Sequence, residues 1–184
     1  MRPHRLRDLL AIALLVPAAL AAQAPARRHV AVPTVAPRPA DVATVDGVVK
    51  AYYDVITGPA GQPRQWSRDR SLYIPDLRFV ATGVAAGGRT YARVMTHQDF
   101  VDGSDSSFVH DGFFEREIHR VTQAYGNIAQ VLSTYEEHRT ADGPVVGRGI
   151  NALQLFWDGS RWWVASAIWF DEDPTHPIPK EFLP

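Results

Sequence analysis

The chain has 184 residues, of which 46% are hydrophobic and 21% charged, so it has room for one core of ordinary size. Its 19 lysines and arginines are balanced by 20 acidic residues, and no segment concentrates positive charge, which argues against nucleic-acid binding. The chain contains no cysteine, which excludes disulfides, a thiolate nucleophile and a lipidated cysteine.

The first 21 residues are typical of a secretory signal peptide. Three arginines precede an apolar run over residues 9–22, and the segment Ala19-Leu20-Ala21 fits a small-residue cleavage site. An uncleaved membrane anchor is the alternative, but the run is interrupted by Pro17 and is shorter than the roughly 20 residues that a bilayer requires. We therefore expect a secreted or periplasmic protein with no membrane attachment after cleavage.

A proline-rich linker is predicted for residues 22–40, and a folded domain for residues 41–171. The domain opens with Val45, Val48, Val49, Tyr52 and Ile56, which share one face of a helix that ends at Gly58. A second helical piece is predicted from Trp66 to Leu72. The tail, residues 172–184, is rich in proline and is predicted to be irregular.

The middle of the chain changes from helical to strand patterns. Residues 77–83 predict a short strand, followed by a turn and a second strand. Thr96 and Asp99 resemble a capping box, which predicts a helix from His97 toward Ser106. Four strand segments connected by glycine-containing turns follow, over residues 112–124, 128–139, 146–157 and 161–171. This order indicates an α+β domain.

The element order, the tryptophan at residue 66 and the stretches FFEREIHRV, GNIAQVLSTYEEHR and GRGINALQLFWDGSRWW resemble the nuclear transport factor 2-like superfamily. This superfamily includes ketosteroid isomerases and SnoaL-type cyclases. The resemblance implies a cone-shaped, cystatin-like α+β fold, with three N-terminal helices covering the concave face of a strongly curved antiparallel sheet. Function varies widely on such folds, so it has to be argued from the site.

The implied cone assigns strand faces. We expect Ala129, Val131, Ser133, Tyr135 and Glu137 to face inward, because this set is smaller and less polar than the alternate one. On the following strand the inward set is Asn151, Leu153 and Leu155, and Gln154 faces outward. The last strand is apolar on both faces, which predicts a homodimer through the outer face of the sheet.

The stretch FFEREIHRV, residues 113–121, permits two interpretations. If its odd-numbered residues face inward, Glu115, Glu117 and His119 line a polar pocket, and His119 and Glu117 form an acid/base pair. Alternatively, these charges form an exposed ladder with cross-strand partners Glu137 and Arg139. The pocket interpretation adds Tyr135 and Asn151 as partners for a ligand oxygen. Its remaining predicted ligand-binding residues are Tyr52, Trp66, Glu115 and Ser133.

Two classes of function remain open. The first is a binding module for a small apolar oxygenated molecule, and the second is a cofactor-free isomerase, lyase, dehydratase or hydrolase that uses His119 and Glu117. No cofactor and no metal are expected, because the spacing of His110 and His119 with Asp111 or Glu117 matches no zinc signature. His97, in the first turn of a helix, is expected to be a surface residue.

Overall fold

The computed structural model describes residues 28–184, so the predicted signal peptide and the first part of the predicted linker lie outside the described residues. The helices are α1 (Pro39–Val42), α2 (Val45–Asp54), α3 (Trp66–Arg70) and α4 (His97–Asp111). The strands are β1 (Phe79–Val84), β2 (Thr90–Met95), β3 (Phe114–Tyr125), β4 (Ile128–His138), β5 (Gly147–Trp157) and β6 (Trp162–Asp171). A short 3-10 turn, Lys180–Phe182, lies in the tail.

One six-stranded sheet runs in the order β2-β1-β6-β5-β4-β3. Every neighbouring pair is antiparallel except β1 and β6, which are parallel, so the sheet is mixed and departs from the expected antiparallel sheet at this one pairing. A parallel pair requires a long crossover. Here the remaining strands and α4 separate β1 from β6 in the chain, which allows the β1-β2 hairpin to join the edge of β6.

Helix α2 lies against the inner face of the sheet. The Thr44 side chain caps it by accepting a hydrogen bond from the Gly47 amide. Its buried face includes Val48, Val49 and Tyr52, as the apolar spacing predicted. The three predicted helices correspond to α2, α3 and α4, whereas α1 is an additional single turn at the end of the predicted linker.

Helix α4 begins with the predicted capping box, in which Thr96 and Asp99 exchange side-chain-to-backbone hydrogen bonds. It continues to Asp111, one turn and more beyond the predicted end near Ser106. It is followed by Gly112, whose φ of 74° is a conformation that glycine adopts without steric cost. The extra turn carries Phe108, which packs on Trp66 and Phe113.

A β-bulge divides strand β3. Glu117 pairs with Tyr135, but the next paired residue, His119, stands opposite Thr134, so Ile118 is the additional residue. Because side chains alternate between the two faces, one extra residue exchanges the faces beyond it. Odd-numbered residues face the core before the bulge, and even-numbered residues do so after it.

Both ends of the described chain pack on the domain. In the predicted linker, the Val30 amide donates to Asp102 of α4, and Val30 and Val32 pack against the core. At the other end the tail lies on the outer face of the sheet, where the Thr134 hydroxyl donates to the carbonyl oxygen of Phe182. Thr134 is fully buried there.

None of the helices within residues 28–184 combines the length and the apolar character needed to cross a membrane.

Candidate functional site

A cavity of about 190 Å³ lies between the helices and the inner face of the sheet. Aromatic side chains from several elements form most of its wall: Tyr52, Tyr73, Phe79, Phe100, Phe108 and Trp169. Their rings pack edge to face or tilted, with centroids 5.1 Å apart for Tyr73 and Phe79 and 5.0 Å apart for Phe79 and Phe100. The wall is therefore apolar and is held by ring-to-ring contacts.

One end of the cavity is acidic. Glu115 on β3 and Glu137 on β4 are directly opposite each other in the sheet, and Asp171 at the end of β6 also lines the cavity. The Tyr135 hydroxyl donates to Asp171 Oδ1 over 2.5 Å. Glu115 is partly buried and Asp171 is exposed, so this end faces solvent through Asp171.

Burial and, to a smaller extent, the negative charges of Glu137 and Asp171 together raise the pKa of Glu115 from its ordinary value of 4.5 to about 8, although a hydrogen bond from Asn151 opposes the rise. Burial and the charge of Asp171 also raise the pKa of Glu137. Near neutral pH the Glu115 carboxyl is therefore protonated and can donate or accept a hydrogen bond.

A hydrogen-bond network fixes the polar side chains beside Glu115. The Asn151 amide donates to Glu115 Oε1 and to the Tyr53 hydroxyl, each over 3.3 Å, and the Tyr52 hydroxyl donates to Asn151 Oδ1. Tyr53 in turn contacts the Ser133 hydroxyl at 2.7 Å. Burial, with the nearby charge of Glu115, raises the pKa of both tyrosines, so both remain neutral.

Glu117 lies beside this network but does not line the cavity. Its carboxylate accepts the Ser133 hydroxyl at 2.5 Å and both arms of the Arg120 guanidinium, at 2.8 and 2.5 Å. Arg120 also contacts Asp46 of α2. Glu117 is thus a structural ion-pair partner in the described residues.

The predicted acid/base pair is not brought together. His119 follows the bulge and faces outward opposite Thr134, whereas Glu117 faces inward, so the expectation that Glu115, Glu117 and His119 share one face is wrong at His119. The described residues show neither interpretation of FFEREIHRV in full, and the cross-strand ion pair that does form uses Glu136 and not the predicted partner Glu137. Glu115 lines the cavity, and Arg116 forms an exposed cross-strand ion pair with Glu136 at 3.3 Å.

The structure distributes the predicted ligand-binding residues between the cavity wall and the layer behind it. Tyr52, Glu115, Tyr135 and Asn151 line the cavity. Trp66 is buried behind the wall, where its indole N–H donates to Asp105 over 2.6 Å. Ser133 is also one layer back, against Tyr53 and Glu117. The predicted inward faces of β4 and β5 are confirmed by the burial of Ala129, Val131, Ser133, Tyr135, Asn151, Leu153 and Leu155.

Asp171 and the aromatic wall other than Tyr52 were not predicted as part of the site. Phe79, Phe100 and Trp169 come from three elements, and no spacing in the sequence connects them. The sequence did offer one indication of the acidic end, because the alternation of β4 placed Glu137 on the inward face. Its pairing with Glu115 requires the strand register, which depends on the hairpin after Tyr125.

His97 is buried, at 9% exposure, and the expectation of a surface residue is wrong. Its Nε2 lies 2.9 Å from Asp69 Oδ2, and the Tyr73 hydroxyl donates to Asp69 Oδ1 over 2.6 Å. The first turn of α4 faces α3, and this fully buried carboxylate holds the imidazole there. Its other nitrogen, Nδ1, has no hydrogen-bond partner in the described part of the chain.

No group of three or more metal-binding side chains is arranged to hold a metal ion within residues 28–184.

Comparisons with known proteins identify the fold. No family model matches the chain, and no curated protein matches it. A protein of unknown function with a cystatin-like fold from Nostoc punctiforme matches with a TM-score of 0.53 and 9% identity, covering 72% of this chain and 91% of that one. The assigned beta subunit of an aromatic-ring-hydroxylating dioxygenase from Novosphingobium aromaticivorans matches with a TM-score of 0.52 and 13% identity, covering 71% and 88%.

A protein of unknown function from Mycobacterium tuberculosis matches with a TM-score of 0.52 and 13% identity, over 74% of this chain and 75% of that one. Identities this low establish the fold alone. The chain therefore has a cystatin-like α+β fold, which is the fold that its sequence resemblance implied.

Proposed function

We propose that this domain binds a small, largely apolar molecule in the cavity between its helices and its sheet. The observation that carries the proposal is a preformed cavity with an aromatic wall and a cluster of polar groups at one end, which is the usual composition of a ligand site. The surrounding rings and the hydrogen bonds of Asn151 hold the site in shape without a ligand.

The volume limits the ligand to a small molecule. An apolar cavity of about 150 Å³ in another protein holds benzene. The cavity here is somewhat larger, about 190 Å³. It therefore suits one ring with a short substituent, and it is smaller than the roughly 300 Å³ at which pockets for drug-sized ligands begin.

Trp169 offers a direct test, because its indole ring lines the cavity. Titration with single-ring compounds should produce a saturable change in tryptophan fluorescence. The change should disappear in Trp169→Phe and persist in Trp163→Phe, because Trp163 is bonded to Asp158 outside the cavity. Absence of saturable binding by every ring compound tested would refute the proposal.

A cofactor-free acid/base enzyme is the second candidate, and one observation favours it. Glu115 holds a proton near neutral pH at the edge of an apolar cavity, which is the property a general acid or base requires. The candidate rests on Glu115 and not on His119 and Glu117. In a turnover screen, any activity of this site should be lost in Glu115→Gln and retained in His119→Ala. The opposite result would exclude Glu115 as the catalytic residue.

We also propose a homodimer through the outer face of the sheet. One apolar residue from each of the six strands lies in a row across that face. From β2 to β3 the row consists of Val94, Val80, Ile168, Ala152, Leu132 and Val121, and each residue is paired with the next. Val94 is 62% exposed and Ile168 is 42% exposed, and the tail residue Phe182 accepts its hydrogen bond from Thr134, in the adjacent row. A sedimentation measurement at micromolar concentration should give a dimer.

We further propose that the domain is secreted or periplasmic after loss of residues 1–21, on the strength of the N-terminal sequence pattern. Mass spectrometry of the protein exported from its native host should find a new N-terminus at residue 22. Recovery of the full-length chain in the membrane fraction would support the anchor instead.

A further inference from the structure

We propose that the cavity takes a protonated amine attached to a single aromatic ring or a short alkyl group. This inference rests on the binding function proposed above and specifies the ligand by its charge. It combines three features of one site: an acidic end without a facing cation, hydrogen-bond donors that are already engaged, and a wall of aromatic rings. Each feature on its own would be compatible with other ligands.

The first feature is uncompensated negative charge. Glu115, Glu137 and Asp171 line the cavity, and no lysine, arginine or histidine of the described chain does. The positive charge of Arg139 lowers the pKa of Glu137, but this effect is weaker than the opposing effects of burial and of the Asp171 charge. The groups that face Glu115 are Tyr52 and Tyr53 from α2, Tyr135 and Glu137 from β4, Asn151 from β5 and Asp171 from β6. All of these are neutral or acidic.

The second feature is the direction of the hydrogen bonds. The hydroxyl groups of Tyr52, Tyr73 and Tyr135 donate to Asn151, Asp69 and Asp171, respectively. The Asn151 amide donates to the Tyr53 hydroxyl and to Glu115 Oε1. Apart from the Trp169 indole and the proton of Glu115, the cavity therefore offers a ligand mainly carboxyl oxygens, which accept hydrogen bonds when ionised. An ammonium group donates three hydrogen bonds and accepts none, so it needs no hydrogen-bond donor from the cavity.

The third feature is the aromatic wall. Aromatic faces attract cations through their quadrupole, and the attraction strengthens when the cation is removed from water. Trp169 and Phe79 lie at one side of the cavity with ring centroids 6.3 Å apart, and Phe100 packs on both. The same rings bury the apolar part of the ligand, so one wall serves both halves of an aromatic amine.

The protonation of Glu115 supports this assignment. In the free protein, burial and the negative charges of Glu137 and Asp171 disfavour ionisation of Glu115, and its pKa is about 8. An ammonium ion would take the place of that proton, so binding would release it. Amine affinity should therefore rise with pH up to about 8. A carbonyl or other neutral acceptor would need the Glu115 proton, so its affinity should stay nearly constant up to about pH 8 and fall only above it.

The test compares benzylamine, benzyl alcohol and benzoate, which share the ring and differ in charge. Calorimetric titration of the protein at about pH 8 should give benzylamine a dissociation constant at least about tenfold below that of benzyl alcohol, with no binding of benzoate. Between about pH 6 and pH 8 the benzylamine affinity should increase, by up to about tenfold per unit, with proton release detected as a dependence of the heat on the buffer.

Two substitutions connect the effect to the acidic end. Glu115→Gln should abolish the pH dependence and weaken benzylamine binding at about pH 8 by about tenfold or more, while leaving benzyl alcohol binding within about twofold. Asp171→Asn, at an exposed position, should weaken benzylamine selectively even if the first variant folds poorly. Glu136→Gln, on the other face of β4, is the matched control and should change neither ligand.

The outcomes separate the two proposals. Benzyl alcohol binding as tightly as benzylamine, or benzylamine affinity falling as the pH rises, would overturn the amine assignment and leave the binding function intact. Saturable binding of benzoate in preference to benzylamine would overturn it as well. Failure of all three compounds to bind would refute the proposed binding function and the amine assignment together.

Discussion

Gly149 leaves the space that the Tyr135 hydroxyl occupies. A β-carbon on Gly149 would lie 2.6 Å from the carbonyl oxygen of Phe170 and closer still to the Tyr135 oxygen. Because one of these obstacles is backbone, a side chain there cannot be accommodated by rotation alone. We expect Gly149→Ala to lower the free energy of unfolding by about 2 kcal/mol in urea denaturation.

Gly83 provides the matched control for this substitution. It is also a strand glycine, but its added β-carbon would meet only the outer atoms of the Tyr91 ring, which is 47% exposed and can move away. Gly83→Ala should therefore change the free energy of unfolding by less than about 1 kcal/mol. Equal losses for the two variants would show that the Gly149 contacts carry no special cost.

The stability of the protein should fall between about pH 4.5 and about pH 8 because of Glu115. Below its ordinary pKa of 4.5 the carboxyl is protonated in both the folded and the unfolded states, so it costs nothing. Above that value the unfolded chain loses the proton while the folded chain keeps it, which favours unfolding until the pH passes the folded-state pKa. Partial hydration limits the loss to the order of 2 kcal/mol.

Glu115→Gln removes this titration. Urea denaturation at about pH 5 and about pH 8 should give a smaller decrease in the free energy of unfolding for the variant than for the unaltered protein. Glu136→Gln, on the outer face, should retain the full decrease. If all three proteins show the same pH dependence, the Glu115 carboxyl is already ionised in the folded state.

His97 and His110 lie on the same helix and should respond differently to replacement by alanine. Loss of His97 leaves the fully buried Asp69 carboxylate with one fewer partner and creates a small void, which should cost about 3 kcal/mol. The His110 side chain is 85% exposed, so His110→Ala should stay within about 0.5 kcal/mol. Thermal and urea unfolding measure both, and similar values would contradict the structural role of His97.

Ile168 tests the proposed dimer. It is 42% exposed near the middle of the apolar row on the outer face, so Ile168→Lys would place a charge in the interface. We expect this variant to sediment as a monomer with an unchanged fold. Tyr125→Lys is the control, because Tyr125 is 86% exposed at the far end of β3 and should leave the dimer intact. Dissociation by both or by neither substitution would contradict an interface centred on this row.

The fold could be predicted because its signals are local and repeated. The capping box at Thr96, the helical spacing from Val45 and the alternation of β4 each act within a few residues. The parallel pairing of β1 with β6 could not be predicted in this way, because it depends on contacts between distant parts of the chain. No turn signal joins these two strands.

The candidate site was predicted only in part for a related reason. Alternation correctly brought Tyr135 and Asn151 to the cavity, and Glu115 followed from the same logic. It failed at His119, because nothing in the sequence marks Ile118 as the additional residue of a bulge. His97 was misplaced because its environment is made by Asp69, 28 residues earlier in the chain.

The bulge makes β3 a strand with two independent halves. In residues 114–117 the odd-numbered side chains face the inner side of the sheet and the even-numbered ones face the outer side. In residues 119–125 this assignment is reversed. Substitutions at Glu115, in the proposed ligand site, therefore leave unaltered the part of β3 that joins the apolar row at Val121. If both proposals hold, the proposed ligand site and the proposed dimer interface can be changed by separate substitutions along one strand.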